Sequence, residues 1–189
     1  MPDVPTLDNV VLVAAPTLGH TLDSIAPARL TITSVPDLAR LSLRGDAAAL
    51  GAAFGIRLPD RPGCTAVAGD RSALWLGPDE WLLLGPLGSL DAKTEAIAAA
   101  VVDISHRQVG LVLAGPDAAE ALATGCPRDL HPAVFPPGAC TRTVFGKAEI
   151  ILWRTGALRF HVEVARSFAG YVHSRLALAA QELEVCSRL

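Results

Sequence analysis

The chain has no Cys-x-x-Cys pair, no run of lysine or arginine, and no phosphate loop of the G-x-G-x-x-G or Walker type. Each absence excludes a class of protein. The four cysteines, Cys64, Cys126, Cys140 and Cys186, are scattered through 189 residues, which is neither a disulfide scaffold nor a zinc ribbon. They read as reduced thiols of a cytoplasmic protein. Basic residues placed singly, at a net charge of −3, leave no stripe that could track a nucleic acid backbone. Lacking those loops, the chain has no such route to a dinucleotide or nucleoside triphosphate. The opening Met1-Pro2-Asp3-Val4-Pro5 has no basic n-region, and the apolar stretch at 10–15 is too short for a signal core or a membrane span. Neither nucleic acid nor membrane is expected as a partner.

Charge is also scarce, at 19% of residues against about 25% in an average soluble domain. An under-charged surface suits a protein covered in part by partners, but an alanine-rich composition raises the apolar count as well. Lys93 and Lys147 are the only lysines, while arginines are many; arginine is the better residue for planar, bidentate recognition of carboxylates at interfaces. The length fits one domain or two closely associated halves.

Residues 1–34 are rich in Pro, Thr and Ser with weak periodicity, and read as an extended arm lying on the surface or over a partner. Beyond them one pattern occurs twice. Leu41-Ser42-Leu43-Arg44 alternates like a half-buried strand, Gly45-Asp46 turns, and Ala47–Phe54 is a helix with Asp46 as its N-cap. Leu111-Val112-Leu113-Ala114, the turn Gly115-Pro116-Asp117 and a helix over 118–124 repeat it. Both copies continue through a Pro-Gly turn to a Cys-Thr pair, Pro62-Gly63-Cys64-Thr65 and Pro137-Gly138-Ala139-Cys140-Thr141. Strand pairs follow, at 73–76 with 81–84 and at 150–153 with 159–164, and helices over 90–100 and 167–183, capped by Ser89 and Ser167, close the copies. A strand-helix-strand-strand-helix unit of about 70 residues is too long for a solenoid repeat. It indicates two fused halves of an α+β domain, at about 35–102 and 103–189, with antiparallel sheets and helices covering one face of each.

Candidate chemistry is sparse. Asp103, Ser105, His106 and Arg107 precede a strand and could converge on a partner's carboxylate, or Asp103 and Ser105 could simply cap a turn under His106. The favoured reading combines a structural turn with a histidine facing an interface. Arg142, Arg154, Arg159 and Arg166 alternate with apolar positions and would form a positive, exposed sheet face fit for docking. Cys126, His131, Cys140 and His161 do not have the spacing of a metal site. No flanking pattern activates a thiol, and neither Ser24 nor Ser105 sits in a G-x-S-x-G elbow. Trp75, Trp81 and Trp153 fit strand positions in a core better than a binding surface. No catalytic, cofactor-binding or metal-binding residue is assigned.

The stretch 103–147, with Asp103-Ile104-Ser105-His106-Arg107-Gln108-Val109-Gly110, Thr124-Gly125-Cys126-Pro127-Arg128-Asp129-Leu130-His131-Pro132 and Thr141-Arg142-Thr143-Val144-Phe145-Gly146-Lys147, resembles the gamma subunit of heterotetrameric sarcosine oxidase. That family is related in fold to the folate-binding aminomethyltransferases, themselves built as a duplication, and the resemblance extends over most of residues 35–185. It implies a complex with alpha, beta and delta subunits that oxidatively demethylates sarcosine to glycine, passes the one-carbon unit to tetrahydrofolate and forms hydrogen peroxide. FAD, FMN, NAD and tetrahydrofolate would be held by other subunits, with no cofactor in this chain. The interface residues expected here are Asp103, His106, Arg107, Arg142, Arg154, Arg159 and Arg166. The aminomethyltransferases carry paired acids in a Gly-Gly-x-x-Asp-Asp strand; here Gly146-Lys147-Ala148-Glu149-Ile150-Ile151 offers one acid and an apolar residue. Ile150 cannot serve as general acid or base, so the chain is not expected to be catalytic by itself. A free-standing folate-binding or one-carbon transfer protein on the same fold is the alternative.

Overall fold

The computed structural model describes residues 29–35, 38–90 and 98–187. In chain order these form β1 (Thr31–Val35), β2 (Leu38–Gly45), α1 (Ala47–Phe54), β3 (Thr65–Ala68), β4 (Arg71–Gly77), β5 (Glu80–Pro86) and β6 (Ala99–Asp103). After a 3-10 turn at Ser105–Arg107 come β7 (Gln108–Ala114), α2 (Ala118–Ala123), β8 (Cys140–Phe145), β9 (Ala148–Gly156), β10 (Arg159–Ala165) and α3 (Arg166–Cys186). Alternation of apolar residues produces the strands. In β9, Ile150 and Leu152 face one side while Ile151 and Trp153 face the other, and all four are buried. The first helix starts where Asp46 accepts a hydrogen bond from the Ala49 N–H at 2.8 Å, and it stops at Gly55, whose φ of 63° ends the turn in left-handed geometry.

Two five-stranded antiparallel sheets result, ordered β6-β2-β5-β4-β3 and β1-β7-β10-β9-β8. Position for position the orders match, so the duplication is a property of the fold. The halves exchange their first strands: β1 precedes β2 in the chain but pairs with β7, and β6 precedes β7 but pairs with β2. The outer face of one sheet packs on α1 through Leu50 and Phe54, and that of the other on α2 and α3 through Leu122, Val172 and Leu176. Between the inner faces lie Leu74, Leu82, Leu84, Cys140, Ile151 and Trp153. The result is four layers, helix, sheet, sheet, helix.

The repeated Pro-Gly turns meet at the seam between the halves. Cys64 and Ala139 form an antiparallel bridge, the Cys140 N–H donates to the Gly63 carbonyl at 2.8 Å, and the Thr65 hydroxyl donates to the Gly138 carbonyl at 2.8 Å.

Three expectations are corrected. Thr31–Val35 is a strand of the second sheet, not the end of an arm; residues 1–28 lie outside the described residues. Ala99 and Ala100 begin β6 rather than ending a helix, and 91–97 lie outside the described residues. The last helix starts at Arg166, so Ser167 sits within its first turn, and the cap residue Ala165 has no side-chain cap.

Candidate functional site

The inner faces of the sheets carry a buried charge cluster that no reading of motifs located. Arg40 on β2 reaches across the seam, and its Nε donates to Glu163 Oε2 on β10 at 2.6 Å, while His161 Nε2 is 2.6 Å from Glu163 Oε1. Arg40 is 3% exposed, Glu163 1% and His161 6%. Burial pushes the Glu163 carboxyl up, but the hydrogen bonds and charge of His161 and Arg40 outweigh it and hold the group below the usual carboxylate range. Arg40 Nη1 also donates to the Leu38 carbonyl at 2.9 Å. Gly110 on β7 leaves room for the pair: a Cβ there would stand 2.9 Å from Glu163 Oε1 and 3.1 Å from Arg40 Nη2. A signal existed in the sequence, since Arg40 stands between Ala39 and Leu41, and Glu163 between Val162 and Val164, each a charge flanked on both sides by apolar residues.

The segment Asp103 to Arg107 fastens onto the same place. The Ser105 hydroxyl accepts the Arg40 N–H at 2.8 Å, and the Ile104 N–H donates to the Arg40 carbonyl at 2.9 Å. Asp103 Oδ1 accepts the Ser105 N–H at 2.8 Å, and hydrogen bonds from Ser105 hold its carboxyl below the ordinary value. Asp103, His106 and Arg107 are exposed on this turn. The turn is thus shaped by the fold, and its histidine and arginine point to solvent.

The four arginines expected on one exposed face separate. Arg159 and Arg166 are exposed. Arg142 on β8 bridges to Glu80 on β5 at 2.5 Å, across the two halves, and holds the Glu80 carboxyl below its usual range; Arg44 reaches the same carboxylate at 2.9 Å. Arg154 contradicts the expectation. It is 4% exposed, lies 5.0 Å over the Phe160 ring, and donates to the carbonyls of Leu130 (3.0 Å), Phe135 (2.9 Å) and Ala157 (2.5 Å). Facing the helical layer, it has become a clamp on the loop between α2 and β8, because carbonyls that turn inward need a donor that can fork. Arg154→Met should cost about 2–3 kcal/mol through the stranded carbonyls. Urea unfolding would register it as a lower midpoint at unchanged slope.

The thiols fall into different environments. Cys140 is buried, and burial pushes its thiol up to about 12, with the sulfur donating to the carbonyls of Cys64 at 3.3 Å and Trp75 at 3.4 Å. Iodoacetamide at pH 8 should therefore modify exposed Cys186 in the native protein and leave Cys140 untouched until denaturant is added, which peptide mass spectrometry reads directly. Among the described residues, no three His, Cys, Asp or Glu side chains group as a metal site would require. Trp81 and Trp153 are buried; the Trp81 indole N–H donates to the Pro59 carbonyl at 2.8 Å, and Trp75 is half-buried against the same core as Trp81.

Two small cavities open beside the seam, of about 90 and 120 Å³. They share Gln108, Glu149 and Ile151. Ligand pockets usually measure about 300–1,000 Å³, so each accommodates a side chain rather than a cofactor. Glu149, the acid singled out in the sequence, stands at both with its side chain 74% exposed and Arg142 Nε 4.0 Å away.

The same arrangement of sheets and helices recurs in an aminomethyltransferase. The glycine cleavage system aminomethyltransferase T from Bartonella henselae superposes with a TM-score of 0.61 at 15% identity, covering 81% of this chain and 49% of that one. The match at family level is closer: residues 44–182 match the family model described as the sarcosine oxidase, gamma subunit family, and the chain belongs to that family. It is 40% identical over 122 residues to the sarcosine oxidase subunit gamma of Arthrobacter sp. and 37% identical over 131 residues to that of Corynebacterium sp. (strain P-1). Those alignments cover 61% and 66% of this chain, and 60% and 64% of the relatives, so the chain spans about three-fifths of the length of the curated relatives it matches. A chain of the heterotetrameric sarcosine oxidase from Corynebacterium sp. U-96, in complex with pyrrole 2-carboxylate, superposes with a TM-score of 0.77 at 33% identity, covering 85% of this chain and 89% of that one.

Proposed function

We propose that this chain is a structural, noncatalytic component of a sarcosine oxidase, associating with alpha, beta and delta subunits. The complex would oxidatively demethylate sarcosine to glycine, transfer the one-carbon unit to tetrahydrofolate and release hydrogen peroxide, in the cytoplasm. FAD, FMN, NAD and tetrahydrofolate would sit in the other subunits. The observation that carries the reading is the superposition along 85% of this chain on a chain of a heterotetrameric sarcosine oxidase. The chemistry of the seam agrees with it: Glu163, the most buried acid among the described residues, is committed on both oxygens to Arg40 and His161 and has no proton to trade with a substrate. No helix among the described residues is long and apolar enough to cross a membrane. Asp103, His106, Arg107, Arg142, Arg159 and Arg166 remain as docking residues in this proposal, while buried Arg154 is withdrawn.

The test is affinity purification of the tagged chain from its host, with subunit masses and flavin absorbance read on one peak. Co-elution with large flavin-bearing chains is expected. A lone, colourless 19.7 kDa species would overturn the proposal. Should that species bind tetrahydrofolate, and Glu149→Gln weaken the binding, a free-standing folate protein would replace it.

A further inference from the structure

The larger of the two seam cavities has a composition that none of the preceding assignments uses. About 120 Å³ in volume, it is lined by Gln108, Glu149, Ile150, Ile151, Glu163, Ala165 and Phe168, and none of these is basic. Glu163 is already neutralised by Arg40 and His161. Glu149 is not: its only described ion pair is the 4.0 Å approach of Arg142, whose guanidinium is engaged at 2.5 Å with Glu80. Phe168, on the first turn of α3, leaves 44% of its surface in solvent beside this carboxylate. The partial positive charge at the start of α3 amounts to about half a unit, less than Glu149 alone carries. The cavity thus sets one exposed carboxylate beside an aromatic wall, with Arg142 4.0 Å from that carboxylate and exposed Arg166 between the lining residues Ala165 and Phe168.

We propose that this cavity is a socket for one arginine side chain presented by another polypeptide of the complex, an assignment that rests on the function proposed above. The guanidinium would donate charge-assisted hydrogen bonds to the Glu149 carboxylate and a further one to the Gln108 carboxamide oxygen, and lie against the Phe168 ring. Ile151, on the same face of β9 as Glu149, would cover its methylene stem. Arginine fits better than lysine because a planar fork can serve a carboxylate, an amide and an aromatic face at once. The site lies where Gln108, directly after the exposed turn carrying His106 and Arg107, meets the start of α3, so it is continuous with the docking residues proposed above.

The test is co-expression of the tagged chain with the remaining subunits and measurement of the fraction retained. Wild type, Glu149→Gln, Glu149→Arg and Phe168→Ala would be compared with Glu182→Arg, which reverses an exposed carboxylate at the far end of α3. Glu149→Arg should weaken retention about tenfold or more, because it sets like charges against each other at a partly buried site, with Glu149→Gln and Phe168→Ala weakening it less. The melting temperature of the free chain and the behaviour of Glu182→Arg should match wild type. Retention of Glu149→Arg at the wild-type level would overturn the socket; if that variant fails to fold, wild-type retention of the isosteric Glu149→Gln would do the same. A wild-type chain that retains no subunit would remove the underlying functional reading, and the socket with it, whereas wild-type assembly that tolerates both Glu149 variants removes the socket alone.

Discussion

Arg40→Leu is expected to destabilise the folded chain by about 3–5 kcal/mol, the scale for removing one partner of a buried ion pair. The penalty comes from what is left behind. Glu163 is 1% exposed, and without the guanidinium at 2.6 Å its charge has only His161 to balance it, in a seam whose neighbours are Leu74, Leu82 and Ile151. The Leu38 carbonyl loses its side-chain donor as well. Chemical denaturation would measure the loss. A double replacement, Arg40→Leu with Glu163→Leu, should recover much of it, because an apolar pair of similar volume leaves no charge unpaired. A double variant as unstable as the sum of the singles would show that the two residues act independently.

The same cluster sets a pH dependence whose sign can be worked out. Glu163 titrates below its ordinary 4.5 in the folded chain, so below that value the unfolded chain binds a proton that the native chain refuses. Stability from this group is fully present above pH 4.5 and is lost as pH falls through the folded value. The melting temperature should therefore drop on acidification through this window, more steeply for wild type than for Glu163→Gln, which carries no proton to exchange.

Why part of the architecture was legible in the sequence, and part was not, comes down to burial. The six strands read from alternation are β2, β4, β5, β7, β9 and β10, all interior to their sheets. The four missed, β1, β3, β6 and β8, are all edges. An interior strand buries residues such as Leu82, Leu83 and Leu84 on both faces, whereas β6 presents Ala100, Val102 and Asp103 to solvent and leaves little hydrophobic pattern to detect. Arg154 was misplaced for a related reason. Periodicity assigns a residue to a face of a strand, but which face meets a loop full of inward carbonyls is decided by residues 130–157, which alternation does not encode. Glu149 was located as an acid, and its neighbour Phe168, nineteen positions on in sequence, joins it only through the β9-β10-α3 path.

Gly115→Ala should cost about 3 kcal/mol, with the effect concentrated on β1. Gly115 has a φ of 132°, a region L side chains rarely adopt, and a Cβ there would collide with the backbone carbonyl of Arg29, which cannot swing aside as a flexible side chain could. That crowding lies where the chain enters β1, in the sheet of the second half. Arg29 binds Asp117 through hydrogen bonds of 2.8–3.0 Å, and the Asp117 N–H approaches the Arg29 carbonyl at 3.4 Å; two residues further on, β1 enters the ladder with β7 as Thr31 opposite Ala114. Moving Arg29 aside would shift that register at its first pair and draw Ile32 from the core of the second half. Hydrogen exchange should then accelerate at the β1 amides and at the β7 amides bonded to them, while β2 and β5 of the first half keep their protection. Acceleration spread evenly over both sheets would mean that the exchanged strand unfolds only together with the whole chain, and that the two halves are joined into one cooperative unit by their crossing strands.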